Sequence, residues 1–85
     1  MKHQATATFW KLYRKLKPEI QALADKNFAL LKKDPKHPSL RFKCIRDDLW
    51  SARIGLHFRA LAIEGKDGFS WVWIGTHGEY DKIIG

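Results

Sequence analysis

The chain has 85 residues, 45% of them hydrophobic and including four Trp, five Phe and two Tyr, so it makes one domain with one modest core rather than a disordered segment. Sixteen Lys and Arg against nine Asp and Glu give a net charge of +7, which points to a polyanion or an acidic protein as partner. A single cysteine excludes an internal disulfide, no Cys/His cluster has zinc spacing, and no apolar run suits a secretory signal or a membrane span, so a cytoplasmic protein is expected.

Phe9, Leu12, Tyr13 and Leu16 recur at helical spacing with Lys11, Arg14, Lys15 and Lys17 between them, which predicts an amphipathic helix with a solvated basic face. The Thr6–Thr8 stretch ahead of it carries a weak edge-strand signal. Pro18 stops this helix and can open the next, with Glu19 in its first turn. Ile20, Leu23, Ala24, Phe28 and Leu31 continue the apolar stripe to about Lys33, and the two prolines between Asp34 and Pro38 end it. The result is a helical hairpin.

After Ser39 the period drops to two, and Leu40–Arg46, Leu49–Ile54, His57–Glu64 and Phe69–Thr76 all read as strands. The connections are short enough to join antiparallel neighbours in a meander. The closing Glu79–Ile84 segment suits one helical turn. The expected fold is therefore α+β: a single domain over residues 1–85, with the hairpin packed on a twisted antiparallel sheet of about four strands. Such a layer leaves one sheet face open, where Lys43, Arg53 and Arg59 can converge.

Several other residues read as structural. Cys44 alternates with Leu40 and Phe42 and is expected in the core. Trp71 and Trp73 share one face of the last strand by alternation and read as packing residues, as do Trp10 and Trp50. His37 in its turn and His3 near a loose terminus are expected to be inert.

The order of motifs carries more than any one of them. A helical hairpin ending in a Pro-containing turn precedes WSARIG, HFRAL and a final strand closing in WIGTHGEYDKII. From Phe9 to Gly85 this resembles the RelE/ParE superfamily of bacterial type II toxins, particularly its RelE- and HigB-like branch. The resemblance implies a toxin neutralised by a cognate antitoxin, in a toxin–antitoxin hetero-oligomer. It also implies cleavage of mRNA, commonly on the ribosome, by attack of the 2′-hydroxyl on the adjacent phosphate, with no metal and no cofactor. Arg59 falls on the arginine that binds the scissile phosphate, and Arg53 on a basic position that stabilises phosphorane charge. His77 falls on the proton donor, and Tyr80 on an aromatic residue that stacks on or orients the nucleotide; Lys43 and Lys82 would add phosphate contacts. Ser51 departs from the pattern, standing where ribosome-dependent members carry a lysine that helps to activate the 2′-hydroxyl. The general base is left unassigned, with Lys43 as a candidate. The superfamily also contains ParE-type inhibitors of DNA gyrase without nuclease activity, and a degenerate, non-catalytic toxin would fit the same fold.

Overall fold

In the computed structural model, which describes residues 2–85, the N-terminal segment is a strand before it is a helix. Strand β1 (Lys2–Ala5) leads directly into helix α1 (Ala7–Arg14). Thr6 caps that helix: its hydroxyl accepts from Phe9 N at 3.2 Å and donates to the Trp71 carbonyl at 3.2 Å. The edge strand therefore lies at residues 2–5 rather than at Thr6–Thr8, because the Thr6 side chain satisfies the first turn of the helix instead. Helix α2 (Pro18–Lys33) opens on its proline, with Glu19 in the first turn and Lys32 and Lys33 in the last, where they complement the helix dipole.

Strands β2 (Lys43–Arg46), β3 (Leu49–Ile54), β4 (Phe58–Glu64) and β5 (Gly68–Thr76) follow. The sheet has five strands in the order β1-β5-β4-β3-β2, one more than expected. The meander β2–β5 is antiparallel, and β1 adds to it parallel to β5. The expected strand from Leu40 is broken by a 3₁₀ turn at Pro38–Leu40 and by Arg41 at φ 45°, so strand pairing starts only at Lys43. Leu40 is buried in the core, but Cys44 is exposed on an edge strand, its thiol donating to the Asp47 carbonyl at 3.2 Å. Cys44 keeps the inward face by alternation, directly opposite Trp50, but β2 is the outer strand of the sheet and Cys44 is left exposed there.

The main core lies between α1, α2 and one sheet face, where Ala24, Leu31 and Leu40 meet Ala52, Ile54, Ala60, Ala62, Phe69, Trp71 and Ile74. A bulge in β5 sets which aromatic residue joins this core: Leu61 pairs with Trp73 and Ala62 with Trp71, so Val72 is the extra residue. Trp71 therefore faces the helices with Ala62, whereas Trp73 faces the opposite side with Leu61, and the two do not share a face. His3 is no loose-end residue either. Its ring stacks on Phe69 and Trp71 and meets Phe28 edge-on, while Nδ1 accepts from Trp71 Nε1 at 3.1 Å. Trp50 packs against Phe42 and Phe69, and Trp10 lies edge-on to Phe9 and Tyr13 with its outer surface exposed.

The second sheet face is not bare. Ser51 and Leu61 point away from the α1/α2 layer, yet each is only 3% exposed. Their cover is helix α3 (His77–Ile84), two turns rather than one, which packs on β4 and β5 with Tyr80 buried. Thr76 and Glu79 form a capping box at its start, and Arg46 Nη1 donates to the Ile84 carbonyl at 3.3 Å at its end. No helix among the described residues is long and apolar enough to cross a membrane.

Candidate functional site

The β-pleat and the register bring the two candidate arginines together. Arg53 on β3 is directly opposite Arg59 on β4, and Arg59 is directly opposite Gly75 on β5. All three lie on the sheet face away from α1 and α2, since Ala52 and Ala60, one step along each strand, are in the core. Both guanidinium groups lean the same way. Arg53 Nε donates to the Gly55 carbonyl at 3.1 Å, and Arg59 Nη1 donates to the Phe58 carbonyl at 2.8 Å. Each uses one of about five N–H donors, leaving the others for a ligand.

Directly opposed like charges disfavour strand pairing, and a carboxylate normally offsets them. None does so here. Among the described residues the one side-chain ion pair is His77 with Asp81. The arginine pair thus presents two positive charges at one end of the sheet, with no protein anion bound to either.

The backbone at that end is held from two sides. Gly55 turns β3 into β4 at φ +61°, and a Cβ there would sit 2.7 Å from Leu23 Cδ2 on α2. Asn27 on α2 donates from Nδ2 to the Arg53 carbonyl at 3.3 Å, on the stretch of β3 that β2 does not reach. Gly75 leaves room for the Trp73 ring, which would meet a Cβ there at 2.5 Å, so the bulge also places an aromatic ring beside the arginine pair.

Helix α3 starts at the same end. Its first residue, His77, donates its backbone N–H to the His57 carbonyl at 2.7 Å, and its Nδ1 lies 3.5 Å from Asp81 Oδ2 one turn later. Its ring is about half exposed. Glu79 is occupied by the cap: Oε1 accepts from Thr76 N and from the Thr76 hydroxyl, both at 2.9 Å, and these bonds hold its carboxyl below the usual carboxylate range. Glu64 is at the far end of β4, accepting from Trp50 Nε1 at 3.0 Å.

The remaining candidates are placed less closely. Lys43 is exposed on β2 directly opposite Ser51, so it shares the arginine face one row away. Lys82 is exposed on α3, beyond the buried Tyr80. The Tyr80 ring is 8% exposed and anchors α3 to the sheet, so stacking on a base requires the helix to lift. Sequence reasoning missed His57 and Trp73 at this site. The spacing of His57 two residues before Arg59 was an available signal, whereas Trp73 was hidden by the bulge. Among the described residues no group of three His, Cys, Asp or Glu is close enough to hold a metal ion. A surface depression of about 530 Å³ around Lys2, Lys66 and Asp67 lies at the opposite end of the β4–β5 hairpin from the arginines.

No family model and no curated protein matches the sequence. Two solved structures match the fold. The toxin–antitoxin complex RelBE2 of Mycobacterium tuberculosis contains a chain with TM-score 0.67 and 24% identity, over 89% of this chain and 96% of that one. A copper-bound mutant toxin from Helicobacter pylori has TM-score 0.63 and 16% identity, over 93% of this chain and 97% of that one. With its helical hairpin, its mostly antiparallel five-stranded sheet and this match along nearly the full length of both structures, the chain has the RelE-like toxin fold.

Proposed function

We propose that this protein is the toxin of a type II toxin–antitoxin system and acts as a metal-independent endoribonuclease on mRNA, where it inhibits translation. The observation that carries the reading is the Arg53–Arg59 pair, opposed across β3 and β4 without a carboxylate partner among the described residues, at the end of the sheet where helix α3 starts at the exposed His77. A phosphodiester supplies the missing anion, and two guanidiniums suit the charge of a phosphorane better than that of the ground-state diester. In this reading Arg59 binds and polarises the scissile phosphate, Arg53 stabilises the developing charge, and His77 protonates the leaving 5′-oxygen. Tyr80 keeps α3, and with it His77, against the sheet. Lys43 and Lys82 guide the flanking phosphates.

An antitoxin with an acidic, amphipathic segment would match the charge of +7 and cover apolar surface such as Trp10, Phe28 and Ile83, all partly exposed. The fold neighbour that occurs in a toxin–antitoxin complex supports such a partner. The test is induction in bacteria of the wild type and of an Arg59→Ala/His77→Ala variant, with growth and mRNA integrity followed. Arrest with fragmented mRNA, relieved by the double substitution and unaffected by a chelator in the purified reaction, is expected. Arrest with intact mRNA and blocked supercoiling would replace this reading with gyrase inhibition, and no arrest from well-expressed protein would indicate a degenerate toxin.

A further inference from the structure

The site contains a second histidine that the proposed roles leave unused. We propose that His57 is the general base of this site, working opposite a His77 that Asp81 orients; the proposal rests on the ribonuclease reading above.

The argument begins with the backbone. The His77 N–H donates to the His57 carbonyl at 2.7 Å, which ties the start of α3 to the β3–β4 turn and sets the two histidines next to each other in space, though they lie far apart in sequence. Both are exposed. Two residues after His57 comes Arg59, whose guanidinium bends back to the Phe58 carbonyl, and Arg53 bends toward Gly55 at the same turn. The phosphate-binding donors therefore point to the end of the sheet where both imidazoles stand. The titratable and charged groups gathered there include Arg53 and Arg59 from the sheet, His57 from the turn, His77, Glu79 and Asp81 from α3, and Lys15, which lines a depression with Phe58, Thr76 and Glu79.

These groups divide the work. Glu79 is committed to the α3 cap and is not free to accept a proton from substrate. Asp81 Oδ2 lies 3.5 Å from His77 Nδ1, so in this scheme the carboxylate favours a proton on that nitrogen and Nε2 serves as the donor. Among the described residues no carboxylate pairs with His57, which leaves its ring for the role of proton acceptor. A diester held on the arginines between the two rings meets a base on one side and an acid on the other. Neutral His57 removes the 2′-hydroxyl proton as the 2′-oxygen forms its bond to phosphorus. The bond from phosphorus to the 5′-oxygen breaks, and protonated His77 gives its proton to that leaving oxygen. The products are a 2′,3′-cyclic phosphate and a 5′-hydroxyl end, and proton exchange with water restores both rings. Asp81 is a positioning residue in this scheme and touches no reacting atom.

The test uses the full chain with an mRNA presented both free and on ribosomes, and follows the cleavage rate across pH for the wild type, His57→Ala, His77→Ala and Asp81→Asn. Both rings are exposed and the bond joining them is backbone to backbone, so these variants keep the fold, with circular dichroism as the check. The wild type should give a bell-shaped profile. His57→Ala should lose about 10²-fold or more, lose the acidic limb, and regain activity with added imidazole. His77→Ala should lose the basic limb, and Asp81→Asn should lower kcat while leaving KM near the wild-type value. A His57→Ala variant with wild-type rate, or a slow one with an unchanged acidic limb and no response to imidazole, overturns the assignment of His57 while the ribonuclease reading stands. A wild type that leaves both forms of the message intact overturns that reading and this one with it.

Discussion

At the scale of single residues, the arginine pair of the proposed site would set stability against function. Opposed like charges on neighbouring strands cost roughly 0.2–1 kcal/mol, and nothing among the described residues offsets them. Arg59→Gln should therefore leave thermal stability unchanged or raise it slightly, while cleavage falls about 10²-fold or more through the lost phosphorane charge. Inorganic phosphate should raise the melting temperature of the wild type more than that of the variant, since a ligand that binds only the folded state stabilises it. A melting temperature that drops by many degrees, with no phosphate effect in either protein, would show that the pair is structural. This pair was legible in the sequence because β3 and β4 keep an unbroken period of two, so Arg53 and Arg59 could be put on one face before the register was known. Trp73 was not legible, because one extra residue at Val72 reverses the face of everything after it, and alternation cannot reveal a bulge. Cys44 was misplaced for a different reason: alternation gives its face, opposite Trp50, but not that β2 would be the outer strand, where that face is exposed.

At the scale of elements, α2 and strands β3 to β5 could be read within a residue or so, since Pro18, the Asp34–Pro38 segment and the glycine-containing turns mark their ends. Strand β1 could not, because four residues of mixed polarity owe their conformation to β5 alongside and to one histidine. Burial, and then nearby positive charge including Lys32, pushes the His3 imidazole below its ordinary value. Folding thus favours the neutral ring. Its contribution is fully present above the unfolded value of about 6.5, and is lost as pH falls from there through the lower folded value, because the unfolded chain then binds the extra proton. His3→Phe should keep the ring packing, cost about 1 kcal/mol for the lost Trp71 hydrogen bond, and flatten this part of the stability profile in urea melts at about pH 7 and pH 5. An identical slope in both proteins would assign it to another group. Helix α3 depends as much on its cap. Thr76→Ala should cost about 1 kcal/mol and speed hydrogen exchange at Leu61 and Tyr80 before the rest of the sheet, because the cap holds the helix that covers them. Glu79 adds to this above its unfolded value, and the contribution disappears as pH falls through its lowered folded value.

At the scale of the whole molecule, a charge of +7 with one ion pair among the described residues leaves most cations free to meet a polyanion. Charge alone does not say where a polyanion would lie, and the proposed site puts it across the arginine face. Lys43 and Lys82 belong to β2 and α3, the elements around the arginine face, whereas Lys26 is on α2, which covers the other face. Each phosphate contact on single-stranded RNA contributes about 0.7 to the slope of log affinity against log salt. Lys43→Ala and Lys82→Ala should each lower that slope by about 0.7, while Lys26→Ala leaves it unchanged, with binding of a short non-cleavable RNA measured from low to moderate salt. Equal losses at all three positions would mean that the RNA feels a diffuse field rather than a path across this face. A slope that none of them alters would place the contacts elsewhere, the basic face of α1 being the next surface to test.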